Sequence, residues 1–332
     1  MGQRANLVIG NSSGYDLFYN HWCANTITRD LFWGPEHALE FVSKQRSVDR
    51  IDGWLDTVWA EGGAVVDPNN RTLLIYGGQD VLYDVPLRRL YLKLLRSAWG
   101  DWKIRWAYEG IVEIAEYVGV DRSHVIPDKS PKNGSSLCLD PPSERDWVQC
   151  IGSMKSKDSL RIYPLNCRTE DYLQIGPDLL SRSSDVDSLP SFRLLDWTDS
   201  FPTGGFHIDF DQQQLHYWIA YDCPDVLTEI SGAWEGWRVT WHHDKFESQL
   251  DLTEGKVAFH HPSEADLLKS LLVMLEHDTA PVDVLEIAQR ISQHDGGRKV
   301  EINPLALRDD RLALSPEKRK AILERSVASL NE

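Results

Sequence analysis

The residues best suited to chemistry are histidines and aspartates in the second half of the chain. They fall in three short segments, GGFHIDFD (204–211), LHYW (215–218) and WHHD (241–244). Neutral imidazole binds divalent transition metals, and imidazole beside carboxylate can serve as general base and acid. The sequence therefore predicts one candidate catalytic cluster, for which the metal is left unknown: His207, Asp209, His216, His242, His243 and Asp244.

The spacing of these residues also permits an interpretation without catalysis. If 204–209 is a strand, His207 and Asp209 share a face, because alternate residues of a strand point the same way. The segments match neither HExxH nor any other metal or catalytic motif with a known mechanism. A surface hairpin that carries incidental histidines is the alternative.

A duplicated tryptophan motif indicates which elements position these residues. AWGDWKIRW (98–106) and AWEGWRVTW (233–241) share one pattern of alanine and tryptophan. Three further pairs of landmarks occur in the same order, and all three are separated by one common interval. They are GGAVVD (62–67) with GGFHID (204–209), Gly34-Pro35 with Gly176-Pro177, and Ile9-Gly10 with Ile151-Gly152. Landmarks that recur in one order predict an internal duplication.

Each copy shows the same succession of hydrophobic patterns. Two hairpins, each followed by a helical segment, precede the alternating apolar and polar residues of the Trp strand. We therefore expect an α+β fold built from two β-β-α-β-β-α-β units related by a pseudo-twofold, plus a C-terminal helical extension. The expected boundaries are 1–119 for the first repeat, 120–146 for a linker, 147–253 for the second repeat and 254–332 for the extension.

The tryptophans are predicted to fill the core of each copy. A buried indole removes roughly 150–250 Å² from water, so two or three of them form a large part of a small core. Stacking on a ligand is the alternative role for these rings.

Two acids recur at equivalent positions of the copies. Asp67 matches Asp209 before a turn, and Glu109 matches Asp244 just past the third tryptophan. Aspartate before a turn can accept backbone N–H groups, and an acid at the start of a helix is favoured by the helix dipole. We expect structural roles for both pairs.

Composition narrows the class of protein and its compartment. The 332 residues carry 51 acidic and 35 basic side chains, a net charge of −16. Such a charge disfavours binding to nucleic acid and to anionic membranes, and favours a basic partner or simply solubility.

No signal peptide or apolar run long enough to span a bilayer is visible in the sequence. An odd number of scattered cysteines argues against a disulfide framework and predicts a cytoplasmic location. They are Cys23, Cys138, Cys150, Cys167 and Cys223.

These observations support three functions. The first is an acidic cytoplasmic binding or inhibitory protein, of the immunity or regulator type, that acts on a basic partner protein. The second is a metal-assisted hydrolase that uses the histidine and aspartate cluster. The third is a small-molecule sensor with its ligand in the cleft between the repeats. No cofactor is identified from the sequence.

Overall fold

The computed structural model of the chain describes the following residues: 3–127, 137, 139–142, 148–157, 159–182, 188–197, 200–224, 226–276, 283–294, 300–307 and 314–331. The fold is mixed α+β, as predicted, with one six-stranded and one five-stranded sheet of mixed direction. Most of the predicted linker and Cys138 lie outside the described residues. The four described cysteines form no disulfide bond with one another.

The chain forms two compact units. Unit 1 contains residues 1–79, 90–127 and 268–332, and unit 2 contains residues 80–89 and 128–267. Helix Val85–Trp99 therefore begins in unit 2 and ends in unit 1. The four domain boundaries drawn from the sequence stay a prediction.

Unit 1 is built on the six-stranded sheet, in the order β3-β2-β1-β4-β5-β6. Its strands are β1 (Ala5–Asn11), β2 (Gly14–Asn20), β3 (Arg46–Val48), β4 (Gly62–Asp67), β5 (Thr72–Tyr76) and β6 (Lys103–Trp106). The helices that follow these strands along the chain are α1 (Ile27–Asp30), α2 (Pro35–Ser43), α3 (Gln79–Leu82), α4 (Val85–Trp99) and α5 (Ile111–Tyr117). Residues 80–89, which include most of α3 and the start of α4, belong to unit 2. Strands β1–β2 and β4–β5 are antiparallel pairs, whereas β1–β4 and β5–β6 are parallel. Strands β4 and β5 are buried along their whole length and form the centre of the core.

Unit 2 repeats this arrangement with five strands, in the order β12-β11-β10-β7-β8. The strands of unit 2 are β7 (Cys150–Ser156), β8 (Ser159–Leu165), β9 (Phe192–Arg193), β10 (Gly204–Asp209), β11 (Gln214–Ile219), β12 (Arg238–Trp241) and β13 (Val257–Ala258). Its helices are α6 (Thr169–Leu173), α7 (Val226–Ala233) and α8 (Glu247–Leu252). Strands β9 and β13 form a separate parallel pair. The pairing directions within the large sheet are the same as in unit 1.

The strand registers support the predicted duplication and correct one part of it. Gly62 lies beside Ala5, and Gly204 lies beside Cys150, so Ala5 of β1 corresponds to Cys150 of β7. The predicted match of Ile9-Gly10 with Ile151-Gly152 is therefore wrong, because an isolated residue pair does not fix the register of a strand. The remaining strands keep the predicted correspondence, β4 with β10, β5 with β11 and β6 with β12.

The repeated tryptophans make the same contacts in each unit. The indole N–H of Trp99 donates to the carbonyl of Leu31 at 3.0 Å, and that of Trp234 donates to the carbonyl of Leu173 at 2.7 Å. Their neighbours pack edge-to-face at centroid distances of 5.0 and 4.9 Å: Trp102 on Trp99, and Trp237 on Trp234. The third ring of the motif differs, because Trp106 is buried whereas Trp241 is only half-buried.

After β13, the described residues form three α-helices, which make up the helical extension that the sequence predicts: α9 (Glu264–Glu276), α10 (Val284–His294) and α11 (Pro316–Ala328). Ser263 accepts the N–H of Asp266, and Ser315 accepts the N–H of Lys318, so each serine caps the helix that follows it. Within the described part of the chain, none of the helices has the length and apolar character needed to cross a bilayer.

Candidate functional site

Four of the six predicted cluster residues share one face of the unit 2 sheet. His207 on β10 is the register partner of His216 on β11, and Asp209 follows His207 by two residues. His216 lies beside Thr240 on β12, and His242 follows Thr240 by two residues. Because register partners and alternate residues point the same way, these side chains occupy the same side of the sheet.

His207 is a buried, neutral imidazole. It is 2% exposed, and its Nδ1 lies 3.0 Å from the Oγ of Ser153. Gln249 donates to the same hydroxyl at 3.2 Å. Burial, and then the proximity of His216, lowers the pKa of His207 to about 4. Ser153 is fully buried, so it does not offer a nucleophile to solvent, and Gln249 links the Ser–His pair to α8.

His216 and His242 form a hydrogen-bonded pair that solvent can reach. The Nδ1 of His216 is 3.0 Å from the Nε2 of His242, and both side chains are half-buried. On its other side, the Nε2 of His216 is 3.2 Å from the Oε1 of Gln214. Burial is the main cause that lowers the pKa of both imidazoles, so both are neutral at neutral pH.

Asp209 caps a turn. Its carboxylate accepts the N–H of Gln212 at 2.9 Å and lies 3.9 Å from the ammonium of Lys155. Its counterpart Asp67 accepts the N–H groups of Asn69 and Asn70. The predicted structural role of this acid pair is thus confirmed in its contacts.

Asp244 and His243 do not join the cluster. Asp244 is buried and pairs with Arg88 at 2.7 Å and with Arg89 at 3.4 Å. Burial opposes its ionisation, but the two guanidinium groups outweigh this effect and hold the pKa of Asp244 below its ordinary value. His243 adopts a positive φ of 56° and lies edge-to-face on Trp241, at a centroid distance of 4.7 Å.

Glu109 and Asp244 both make structural contacts, as expected, but these contacts are ion pairs and not helix caps. The N-caps of α5 and α8 are Gly110 and Phe246, and neither helix has a side-chain cap. Glu109 instead pairs with Arg122 at 2.7 Å. A nearby arginine is a stronger partner for a half-buried carboxylate than the partial charge of a helix end.

The fold itself does not require imidazoles on this face. The aligned positions in unit 1 are apolar and fully buried: Val65 for His207, Leu74 for His216 and Ala107 for His242. Among the described residues, no group of three or more His, Cys, Asp or Glu side chains is placed to hold a metal ion. Within the cluster, His216 and His242 are therefore the residues best placed to bind a ligand or to react.

A second candidate site lies in unit 1, in the loop of residues 49–61, DRIDGWLDTVWAE, which we call the acidic loop. It contains two successive aspartate-capped turns. Asp49 accepts the N–H groups of residues 51 and 52 at 2.7 and 3.1 Å. Asp56 likewise accepts those of residues 58 and 59 at 2.9 and 3.1 Å. Each turn therefore holds an apolar side chain out in solvent: Ile51 is 71% exposed and Val58 is 65% exposed.

The acidic loop is fixed to the body of unit 1. Asn6, which is fully buried, accepts the N–H of Leu55 at 2.7 Å and donates to the carbonyl of Gly53 at 3.1 Å. Arg4 stacks on Trp59 at 4.4 Å from the ring centroid, and Trp59 is still 53% exposed. The exposed apolar side chains are thus held in a defined arrangement.

The acidic loop was missed by the sequence analysis. Its signal is present in the sequence, since aspartate occurs at the first position of both DRID and DTVW and a branched apolar residue occurs two positions later. Such a pattern predicts aspartate-capped turns. It does not predict which of the apolar residues are exposed.

Comparisons of the chain with models of protein families, with curated proteins and with solved structures found no match.

Proposed function

We propose that this chain is a cytoplasmic binding protein that acts on a basic protein partner and docks it on the acidic loop. The observation that carries the proposal is a set of exposed apolar side chains, held out by capped turns, in a loop that also contains several acids. These side chains are Ile51, Val58 and Trp59. Four acids lie in the same loop against one arginine: Asp49, Asp52, Asp56 and Glu61, against Arg50.

Charge supports a basic partner. Arg50 is already paired with Asp16 at 2.8 Å, so it neutralises little of the acidity of the loop. The whole chain carries a net charge of −16, and such a field accelerates encounter with a positively charged surface. The same field disfavours binding to nucleic acid.

Rigidity supports a specific interface. Exposed tryptophan and branched apolar residues supply binding energy when they enter pockets of a partner, and charged residues are typical of the rim of such interfaces. Asp49, Asp56 and Asn6 hold the loop in place before binding, so less conformational entropy is lost on association.

The contacts favour this function over hydrolysis. In the predicted catalytic cluster, Asp244 is paired with two arginines and Asp209 caps a turn. His207 is buried against Ser153. The residues expected to act as acid and base are thus engaged in structural contacts.

The test uses capture followed by reconstitution from purified components. The untagged chain is immobilised and exposed to lysate at low salt, and any stoichiometric protein is identified, purified and rebound. We expect a protein rich in Lys and Arg, with an association rate that falls steeply between about 0.05 and 0.5 M salt. The double variant Ile51→Ser/Val58→Ser is expected to weaken binding by about tenfold or more.

The matched control is Leu195→Ser in unit 2, which removes an apolar side chain of similar exposure, 63%. Both variants alter exposed side chains, so their free energies of unfolding should stay within about 0.5 kcal/mol of the wild type. Equal binding by the wild type and the double variant, or a partner with an acidic surface, would contradict the proposal.

A further inference from the structure

A second, independent observation concerns the histidine pair of unit 2. The imidazoles of His216 and His242 meet with 3.0 Å between their facing nitrogens. Their ring centroids are 5.3 Å apart and their planes differ by 22°. The two rings therefore lie edge to edge, and the facing nitrogens point at each other.

Gln214 determines which nitrogen of His216 carries the proton. The side-chain NH₂ of Gln214 donates to Gln212 at 2.9 Å, which leaves its Oε1 as the acceptor for the Nε2–H of His216. The Nδ1 of His216 then presents a lone pair, to which the Nε2–H of His242 donates. Histidine ligands of metals show this arrangement, in which one nitrogen donates to a carbonyl and the other binds the metal.

We propose that His216 and His242 form a two-imidazole binding site for a divalent transition-metal ion, with Zn²⁺ as the expected occupant. Zinc binds imidazole nitrogen at about 2.0–2.1 Å in tetrahedral geometry, which places two ligand nitrogens about 3.3 Å apart. The nitrogens need to separate by only a few tenths of an ångström, with a rotation of the rings. His242 then carries its proton on Nδ1, so two neutral imidazoles bind without net release of protons.

The surroundings agree with a ligand site. In unit 1 the aligned side chains are Leu74 and Ala107, which close the corresponding part of the core. The described part of the chain supplies two ligands, and water or a bound molecule completes the coordination.

The test is titration of the untagged, full-length chain with Zn²⁺ by calorimetry, and with Cu²⁺ by electron paramagnetic resonance. We expect one ion per chain and a copper spectrum with coupling to two nitrogens. His216→Gln and His242→Gln are each expected to abolish this binding. Gln214→Leu, which removes only the orienting carbonyl, is expected to weaken it by about tenfold or more.

The control is the double variant His260→Gln/His261→Gln, which removes two histidines outside the pair in the same unit and should leave the titration unchanged. Circular dichroism and thermal unfolding confirm that each variant is folded. Three results would overturn the proposal: no binding by the wild type, binding that survives His242→Gln, or binding lost in the control.

Discussion

At the residue scale, the two units place very different side chains at one strand position. Val65 in unit 1 and His207 in unit 2 are both buried. Valine needs no partner, whereas the imidazole must hydrogen-bond and must stay neutral to avoid a buried charge. The hydroxyl of Ser153, 3.0 Å from His207, fulfils the first condition, and the lowered pKa fulfils the second.

This difference predicts a loss of stability in mild acid. The pKa of His207 is about 4 in the folded chain, against an ordinary value of 6.5. Between these pH values, His207 is therefore protonated in the unfolded chain and neutral in the folded chain. The contribution of His207 is intact above pH 6.5 and is lost as the pH falls towards 4. A shift of this size corresponds to about 3 kcal/mol in the free energy of unfolding.

The measurement is urea unfolding at pH 7 and pH 4.5 for the wild type and His207→Gln. Glutamine does not titrate, so the variant should lose less stability than the wild type over this interval. NMR titration of the His207 ring gives the pKa directly. A midpoint at or above 6.5, or an equal loss of stability in both proteins, would show that folding does not lower the pKa of His207.

At the element scale, a helical segment in each unit starts at a glycine. Gly34 is the N-cap of α2 with φ 98°, and Gly176 begins the 3-10 helix Gly176–Arg182 with φ 75°. A Cβ at these positions would lie 3.4 Å from the carbonyl of Ala98 and 2.5 Å from that of Ala233, respectively. Both carbonyls belong to the alanine of the repeated Ala-Trp motif, so each unit packs a glycine against the equivalent alanine.

Alanine at these glycines is predicted to destabilise each unit. Gly34→Ala introduces an unfavourable φ that costs about 1–2 kcal/mol. Gly176→Ala adds a backbone clash and should cost more. Gly232→Ala on α7 is the control, because a Cβ there meets nothing within 4 Å and alanine favours the helix. Chemical denaturation is the measurement, and an effect of Gly176→Ala no larger than that of Gly232→Ala would contradict the geometry.

The elements themselves were predictable from local patterns. The spacing of Leu87, Leu90 and Leu94 is typical of one buried helix face and agrees with α4, and the alternation in KIRW is typical of a strand and agrees with β6. Ser263 and Ser315 are typical helix caps, and two C-terminal helices start there. These features are visible because each depends on residues within a few positions of one another.

The candidate sites were only partly predictable, because they depend on contacts between distant residues. The sequence places His207 and Asp209 on one face, but it does not show that Arg88 would pair with the far-removed Asp244. Nor does it show that Asn6 would anchor the acidic loop. The alignment of the first hairpins failed for the same reason, since the register of β1 is fixed by β4.

At the scale of the whole molecule, charge and exposed apolar surface combine on the acidic loop. In the proposed function, the excess of acids would act over a distance on a basic partner, whereas Ile51 and Val58 would act only in contact. We therefore predict that salt changes mainly the association rate, and that loss of these apolar side chains changes mainly the dissociation rate.

The most direct test of this account is site-specific photo-crosslinking in cells that produce the protein. A benzophenone amino acid replaces Ile51 or Val58 in the acidic loop, and Leu195 in unit 2 serves as an equally exposed control. We predict that both loop positions, and not the control, crosslink to one and the same basic protein. The absence of an adduct at both loop positions, or the same adducts from position 195, would contradict the central claim.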